Sequence, residues 1–129
     1  MSSKEIYYLR EFRNGDFMLW NVCSQCYNTF TVTLKDDKKT YATINKANHI
    51  TDLQKLSQAS AFYDGGSNLR VEVEFFDGTK DIQESVVSGG TLDPRGNTVG
   101  YSYTYCLEDG EDWDFNDAYI TLTAWRKKG

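Results

Sequence analysis

Apolar and polar residues alternate with a period of two along much of this 129-residue chain. Phe30, Val32 and Leu34 are separated by threonines, and residues 69–75 repeat the pattern with Arg and Glu between the apolar positions. A period of two places alternate side chains on opposite faces of a β-strand. Several such runs, divided by turn residues, predict an all-β fold, an antiparallel β-sandwich of about eight or nine strands.

Hairpins are predicted wherever turn residues separate two of these runs. Asn-Gly and Asp-Gly dipeptides are the strongest short-range signals for such a turn, and both occur here. We therefore expect three antiparallel pairs: residues 6–12 with 17–23, residues 29–34 with 40–44, and residues 69–75 with 82–87.

Two stretches carry weaker patterns. Residues 45–60 contain Thr-Asp-Leu-Gln, which resembles a helix capping box, so we expect one short helical turn or an irregular loop there. Residues 88–98 are rich in Gly, Asp and Pro and are expected to form a loop. The last two strands are then predicted over residues 99–107 and 118–125.

Composition agrees with this β-rich prediction, because nine Tyr, seven Phe and three Trp stand against a single Pro. The length predicts one domain over residues 1–129. A net charge of −5 without a basic stripe argues against nucleic-acid binding. No apolar leader and no apolar run of membrane-spanning length occurs, so we expect no membrane insertion. We expect a chain that is cytoplasmic as synthesised, with release from the cell left open.

The cysteines and the single histidine offer little chemistry of their own. Cys23, Cys26 and Cys106 are an odd set without a nearby histidine to complete a zinc site, so we expect reduced structural cysteines. A local disulfide, a zinc site and a redox role are the alternatives. His49 lies in a polar stretch and is expected at the surface. Without a second histidine, the sequence gives little basis for a hydrolase dyad.

The acidic loop, residues 108–117, places six carboxylates and one amide within ten positions. Two carboxylates about 4 Å apart repel by roughly 4 kcal/mol at an effective dielectric of about 20, so these acids must either splay into water or surround a cation. Oxygen ligands without His or Cys favour a hard ion, and Ca²⁺ accepts about six to eight of them. We therefore expect a calcium site.

Alternation within the acidic loop divides its side chains between two faces. In an extended segment Asp112, Asp114 and Asn116 point to one face, whereas Trp113 and Phe115 point to the other. The oxygens are then free to face an ion while the aromatic rings anchor the loop.

The loop supplies more carboxylate oxygens than one ion needs once Glu108 and Asp117 are added, which favours two adjacent Ca²⁺ ions. An EF-hand is excluded. Asp117 occupies the position of its turn glycine, Thr123 occupies the position of its bidentate glutamate, and strands are predicted on both sides.

Residues 108–118, Glu-Asp-Gly-Glu-Asp-Trp-Asp-Phe-Asn-Asp-Ala, closely resemble the two-calcium loop of the calcium-mediated fucose/mannose-binding lectins of the LecB (PA-IIL) type. Residues 29–32 and 66–78 resemble other hairpins of that family more weakly. The resemblance implies a non-enzymatic lectin that binds mannose-type or fucose-type glycans through two Ca²⁺ ions. It also implies a homodimer or homotetramer, because the family shares a C-terminal glycine carboxylate between subunits.

The same resemblance assigns site residues by position. The implied metal ligands are Glu108, Asp112, Asp114, Asn116, Asp117, Gln25 and Gly129, with Asn21 and Asn28 as alternatives to Gln25. The implied sugar-binding residues are Asp109, Asp112, Asp114, Asn116, Asp117, Cys26 and Tyr27.

Three other interpretations of the acidic loop remain open. It could be a solvated turn without a ligand, although the aromatic residues between its acids favour packing. It could bind calcium only for stability in a structural or adhesion module. It could supply the paired carboxylates of a glycosidase, although its acids are contiguous in one loop and no apolar pocket is apparent around them.

Overall fold

The computed structural model describes residues 3–76, 81–108 and 117–127, and the described part contains nine β-strands. Their bounds are β1 Ser3–Tyr8, β2 Phe17–Ser24, β3 Phe30–Lys35, β4 Thr40–Lys46, β5 Gln54–Phe62, β6 Arg70–Phe75, β7 Gln83–Leu92, β8 Thr98–Glu108 and β9 Ala118–Trp125. Within these ranges no helix is long and apolar enough to cross a bilayer.

The strands form two antiparallel sheets. One has four strands in the order β1-β6-β3-β4, and the other has five in the order β5-β2-β9-β8-β7. The apolar positions of both sheets belong to one buried cluster, to which Val32 and Val73 contribute from the first sheet and Met18 and Leu122 from the second. The predicted all-β antiparallel sandwich is confirmed.

One predicted strand pair is confirmed, and both predicted C-terminal strands are present. β3 pairs with β4, with Val32 opposite Ile44. β8 pairs with β9, with Leu107 opposite Ala118, so the acidic loop connects two neighbouring strands in the middle of the larger sheet. β9 also has the predicted bounds.

The predicted pairing of residues 6–12 with 17–23 is wrong. β1 pairs with β6, whereas β2 pairs with β5 and β9, so the Asn-Gly turn leads from one sheet to the other. Gly15 has the positive φ of 89° that the dipeptide suggests. The turn is held from outside, because the Gly15 N–H donates to Tyr63 O and the Tyr63 N–H donates to Asp16 O.

The predicted hairpin between residues 69–75 and 82–87 is also wrong. β6 lies in the four-stranded sheet between β1 and β3, whereas β7 pairs with β8 at the edge of the five-stranded sheet. The Asp-Gly dipeptide that suggested the hairpin lies outside the described residues. An Asp-Gly sequence favours a turn but does not specify which strand follows it in space.

Two strands replace predicted irregular segments. β5 lies where a helical turn or loop was expected, and it pairs with β2 along the edge of the larger sheet. β7 continues to Leu92 through Gly89 and Gly90, so only residues 93–97 form the turn before β8. Pairing with a neighbouring strand outweighs the weak local preferences of both segments.

The antiparallel topology brings one set of connections to one end of the sandwich. Even-numbered strands end there, so the connections 25–29 and 47–53 lie at the same end as the acidic loop. We call this the loop end. The connections 9–16, 36–39 and 63–69 lie at the opposite end, which we call the far end.

Candidate functional site

Two acids of the acidic loop lie at the ends of the strands that flank it. Glu108 ends β8 and Asp117 directly precedes β9, next to the strand pair Leu107 and Ala118. The Asp117 N–H donates to Leu107 O at 3.2 Å, which holds the start of β9 against the end of β8. Both acids are covered, because Glu108 is only 1% exposed and Asp117 only 6%.

This pair suits a divalent cation. Two carboxylates that lie about 5 Å apart repel by about 3 kcal/mol at an effective dielectric of about 20. Glu108 and Asp117 supply only oxygen atoms, which are the ligands that Ca²⁺ prefers. In the part of the chain that the structure describes, no group of three His, Cys, Asp or Glu side chains is arranged to hold a metal. The pair therefore fits as two ligands of a larger set.

The end of β2 contacts the start of β9 and brings Gln25 to the same place. Ser24 Oγ donates to the Asp117 carbonyl oxygen at 2.6 Å, and Gln25 Nε2 donates to the Tyr119 hydroxyl at 2.9 Å. The second bond leaves the Gln25 amide oxygen as the atom that a hard cation would bind. Asn21 lies inside β2, opposite Thr121, and is farther from the loop end.

Cys26 and Tyr27 follow Gln25 but point to different environments. Cys26 is buried, and its Sγ lies 3.3 Å from Ser24 Oγ. Tyr27 is 60% exposed, and its ring stacks on His49. His49 is exposed, as predicted, and no disulfide joins Cys23, Cys26 and Cys106.

A buried lysine supports this part of the loop end. Lys46, the last residue of β4, is 1% exposed, and its Nζ donates to Asn28 O at 3.1 Å and to Asn48 O at 2.7 Å. An ammonium group is costly to bury without acceptors, and these two carbonyls supply them. Lys46 thereby joins the connections 25–29 and 47–53.

The other predicted site residues lie outside the described residues: Asp109, Asp112, Asp114, Asn116 and Gly129. The structure brings Gln25, Glu108 and Asp117 to one end of the sandwich, with Cys26 and Tyr27 beside them. Their assignment as ligands and sugar contacts stays a prediction.

Three supporting residues were not identified from the sequence. Ser24 and Tyr119 hold the end of β2 against β9, and Lys46 holds the neighbouring connections. Ser24 and Lys46 occupy inward positions of alternating strands where an apolar residue is expected. A polar residue at a core position was the available signal for both, whereas Tyr119 carried none.

The chain was compared with known proteins by sequence and by structure, and only the comparison of structures found matches. No protein-family model matches the chain, and no curated protein matches it in sequence. Three solved lectins do match in structure. The lectin CV2L from Chromobacterium violaceum, solved in complex with α-methyl-fucoside, has 18% identity and a TM-score of 0.58, and the match covers 95% of this chain and 96% of that chain.

The other two matches are of the same quality. The high-affinity mannose-binding lectin from Ralstonia solanacearum has 17% identity and a TM-score of 0.60 over 95% of this chain and 96% of that chain. The C-terminal domain of the lectin BC2L-C from Burkholderia cenocepacia has 20% identity and a TM-score of 0.59, and the match covers 99% of this chain and 100% of that chain. The expected resemblance to fucose/mannose-binding lectins is thus confirmed in the fold.

Proposed function

We propose that this protein is a calcium-dependent carbohydrate-binding protein, a lectin without enzymatic activity. Two adjacent Ca²⁺ ions bind in the acidic loop and coordinate vicinal hydroxyls of a monosaccharide such as mannose or fucose. The observation that carries the proposal is the buried pair Glu108 and Asp117, which stands at the base of an acid-rich loop in a sandwich shared with three lectins.

The buried pair argues against a solvated acidic turn. A turn without a ligand would keep its acids in water, where hydration stabilises their charge. Glu108 and Asp117 are instead covered. Carboxylate oxygens are ligands that Ca²⁺ prefers, so we assign both acids to the proposed calcium site.

The residues of this chain divide the work of the site. The metal set is Glu108, Asp112, Asp114, Asn116 and Asp117, together with the Gln25 amide oxygen. Calcium, when bound, supplies directed attraction for sugar hydroxyls that a shallow wet site lacks. Asp109 accepts a hydrogen bond from a further hydroxyl, and Cys26 borders the first sugar residue, with Tyr27 beyond it.

A second copy of the chain completes the set of calcium ligands through its Gly129 carboxylate. β9 has eight residues and leads away from the loop end, so at about 3.3 Å per residue its last residue lies roughly 25 Å from the acidic loop. Residues 126–129 span at most about 14 Å when extended, so Gly129 does not reach the acidic loop of its own chain. A homodimer or homotetramer is therefore part of the proposal.

A glycosidase is the less favourable alternative. Such an enzyme needs two carboxylates that reach a glycosidic bond from opposite sides. Glu108 and Asp117 are neighbours on adjacent strands and are almost inaccessible, so neither is placed to approach a substrate oxygen.

A glycan array probed in calcium, and again with a chelator, tests the proposal. We expect binding to glycans with terminal mannose or fucose, lost in chelator and restored when calcium is returned. Binding that survives chelation contradicts the calcium site. A chelator-sensitive melting temperature without any glycan binding identifies a calcium-stabilised structural module instead.

A further inference from the structure

The exposed ring of Tyr27 is fixed in place by a second ring. The Tyr27 and His49 centroids lie 4.3 Å apart with an interplanar angle of 22°. His49 Nδ1 lies 2.9 Å from the Tyr27 carbonyl oxygen, which accepts a hydrogen bond from the imidazole N–H. A ring that is already held loses little conformational freedom when a ligand stacks on its open face. We call this pair the aromatic platform.

The main chain beneath the aromatic platform is held as well. Tyr27 belongs to the connection from β2 to β3, and His49 belongs to the connection from β4 to β5. Lys46 Nζ donates to Asn28 O and Asn48 O, the residues next to the two rings. Both connections are thus joined twice, once by the ring stack and once by the buried ammonium.

The aromatic platform lies beside the proposed calcium site rather than within it. β2 separates β9, which follows Asp117, from β5, which follows the His49 connection. Neighbouring strands are about 4.8 Å apart, so the platform is displaced from Asp117 by roughly one to two strand spacings. That offset matches the step from one sugar residue to the next in an oligosaccharide.

We propose that the aromatic platform is a second sugar subsite, on which the apolar C–H face of the next sugar residue stacks. This inference rests on the proposed function, because it extends the calcium-dependent site from one sugar residue to two. An aromatic ring offers a flat apolar surface with little entropy to lose, which suits the face of a pyranose ring. The protein therefore binds a disaccharide more tightly than the matching methyl glycoside.

Isothermal titration calorimetry in calcium separates the two subsites. The ligands are methyl α-mannoside, methyl α-fucoside and α-linked disaccharides that end in either sugar. Tyr27→Ala is expected to weaken disaccharide binding by about tenfold and to leave methyl glycoside binding within about twofold. Tyr27→Phe keeps the ring and is expected to keep both affinities. Tyr8→Ala is the matched control, because Tyr8 is also exposed but ends β1 at the far end.

The outcomes distinguish this inference from the proposed function. If the unmodified protein binds neither methyl glycoside in calcium, the proposed function is overturned and the second subsite with it. If the methyl glycosides bind normally but Tyr27→Ala leaves disaccharide affinity unchanged, only the second subsite is overturned. An equal loss for both ligand sizes also overturns it, because Tyr27 would then contact the first sugar.

Discussion

The two ends of the sandwich use acidic residues in opposite ways. At the far end, buried Asp16 accepts hydrogen bonds from Arg126 Nη1 at 2.5 Å and from the Arg13 N–H at 2.9 Å. At the loop end, the acidic loop holds six carboxylates and no Lys, Arg or His. The far end therefore neutralises its acids with the protein's own donors, whereas at the loop end we propose an external cation for the acidic loop.

Asp36 shows how complete the far-end arrangement is. Burial raises the pKa of Asp36, but hydrogen bonds from the Lys39 and Lys38 amides and from the Tyr41 hydroxyl outweigh burial and hold the pKa below its usual value. At the loop end, Ser24 and Leu107 fix the main chain of Asp117, which positions the strand ends around the acidic loop. The comparison teaches that acid content alone does not mark a site, because the fold itself supplies the hydrogen-bond donors for Asp16 and Asp36.

The largest expected effect is on sugar binding, from a change within the acidic loop. Asp114→Ala removes a proposed calcium ligand and is expected to weaken sugar binding by about 100-fold or more, with the fold retained. Calorimetry measures the affinity, and circular dichroism checks the fold. Asp64→Ala, at the exposed far-end pair with Lys39, is the control and should leave affinity unchanged. Retained binding in Asp114→Ala shows that the ligand assignment is wrong.

Removal of calcium is expected to destabilise the whole protein. A ligand present at 100 times its dissociation constant stabilises the folded state by about 2.7 kcal/mol, which for a domain of this size lowers the melting temperature by about 10 °C when it is withdrawn. Differential scanning calorimetry with calcium and with EDTA measures the shift. Identical melting temperatures rule out both the lectin and the calcium-stabilised module.

Disruption of the far end should lower the free energy of unfolding and leave sugar affinity unchanged. Asp16→Ala removes the acceptor of Arg126 and of the Arg13 amide, and we expect a loss of about 2 kcal/mol in the free energy of unfolding. Urea unfolding measures the loss, and the exposed Asp64→Ala should cost less than about 0.5 kcal/mol. A large change in sugar affinity in Asp16→Ala would mean that the two ends are not independent.

The smallest expected effect is a pH dependence that arises away from the acidic loop. Asp36 has a lowered pKa, and so does Glu72, chiefly because the Arg70 side chain hydrogen-bonds it against the opposing effect of burial. A carboxyl with a lowered folded-state pKa stabilises the protein above its unfolded pKa of about 4 and loses that contribution as pH falls through the folded value.

The urea concentration at the unfolding midpoint, measured in EDTA, should therefore decrease as the pH is lowered below about 4. Asp36→Asn should flatten that fall, because the amide does not titrate. A steeper fall in Asp36→Asn contradicts the direction assigned to the Asp36 pKa.

Much of the fold was predictable because alternation assigns side chains to faces. It gave the bounds of β9 and the β3–β4 pair, where the turn between the strands is short. It did not give strand partners across longer connections. The turn at Gly15 is held between the sheets by hydrogen bonds that join Gly15 and Asp16 to Tyr63. The residues around Gly15 do not reveal these bonds, because Tyr63 lies far away in the sequence.

The two edge strands of the larger sheet were the least predictable elements. β5 and β7 have exposed side chains on both faces for much of their length, so they lack the apolar alternation that identifies a buried strand. Of the candidate site, the acidic composition was visible in the sequence. The support from Ser24, Tyr119 and Lys46 was not, because it depends on which chain ends meet at the loop end.

A crystal structure of the protein with calcium and methyl α-mannoside or methyl α-fucoside tests the central claim most directly. The account predicts two ions bound by the acidic loop, with Glu108 and Asp117 among their ligands and two vicinal sugar hydroxyls bonded to both ions. Anomalous scattering from calcium locates the ions independently of the sugar. A sugar bound without contact to any ion, or ions bound away from Glu108 and Asp117, would contradict the account.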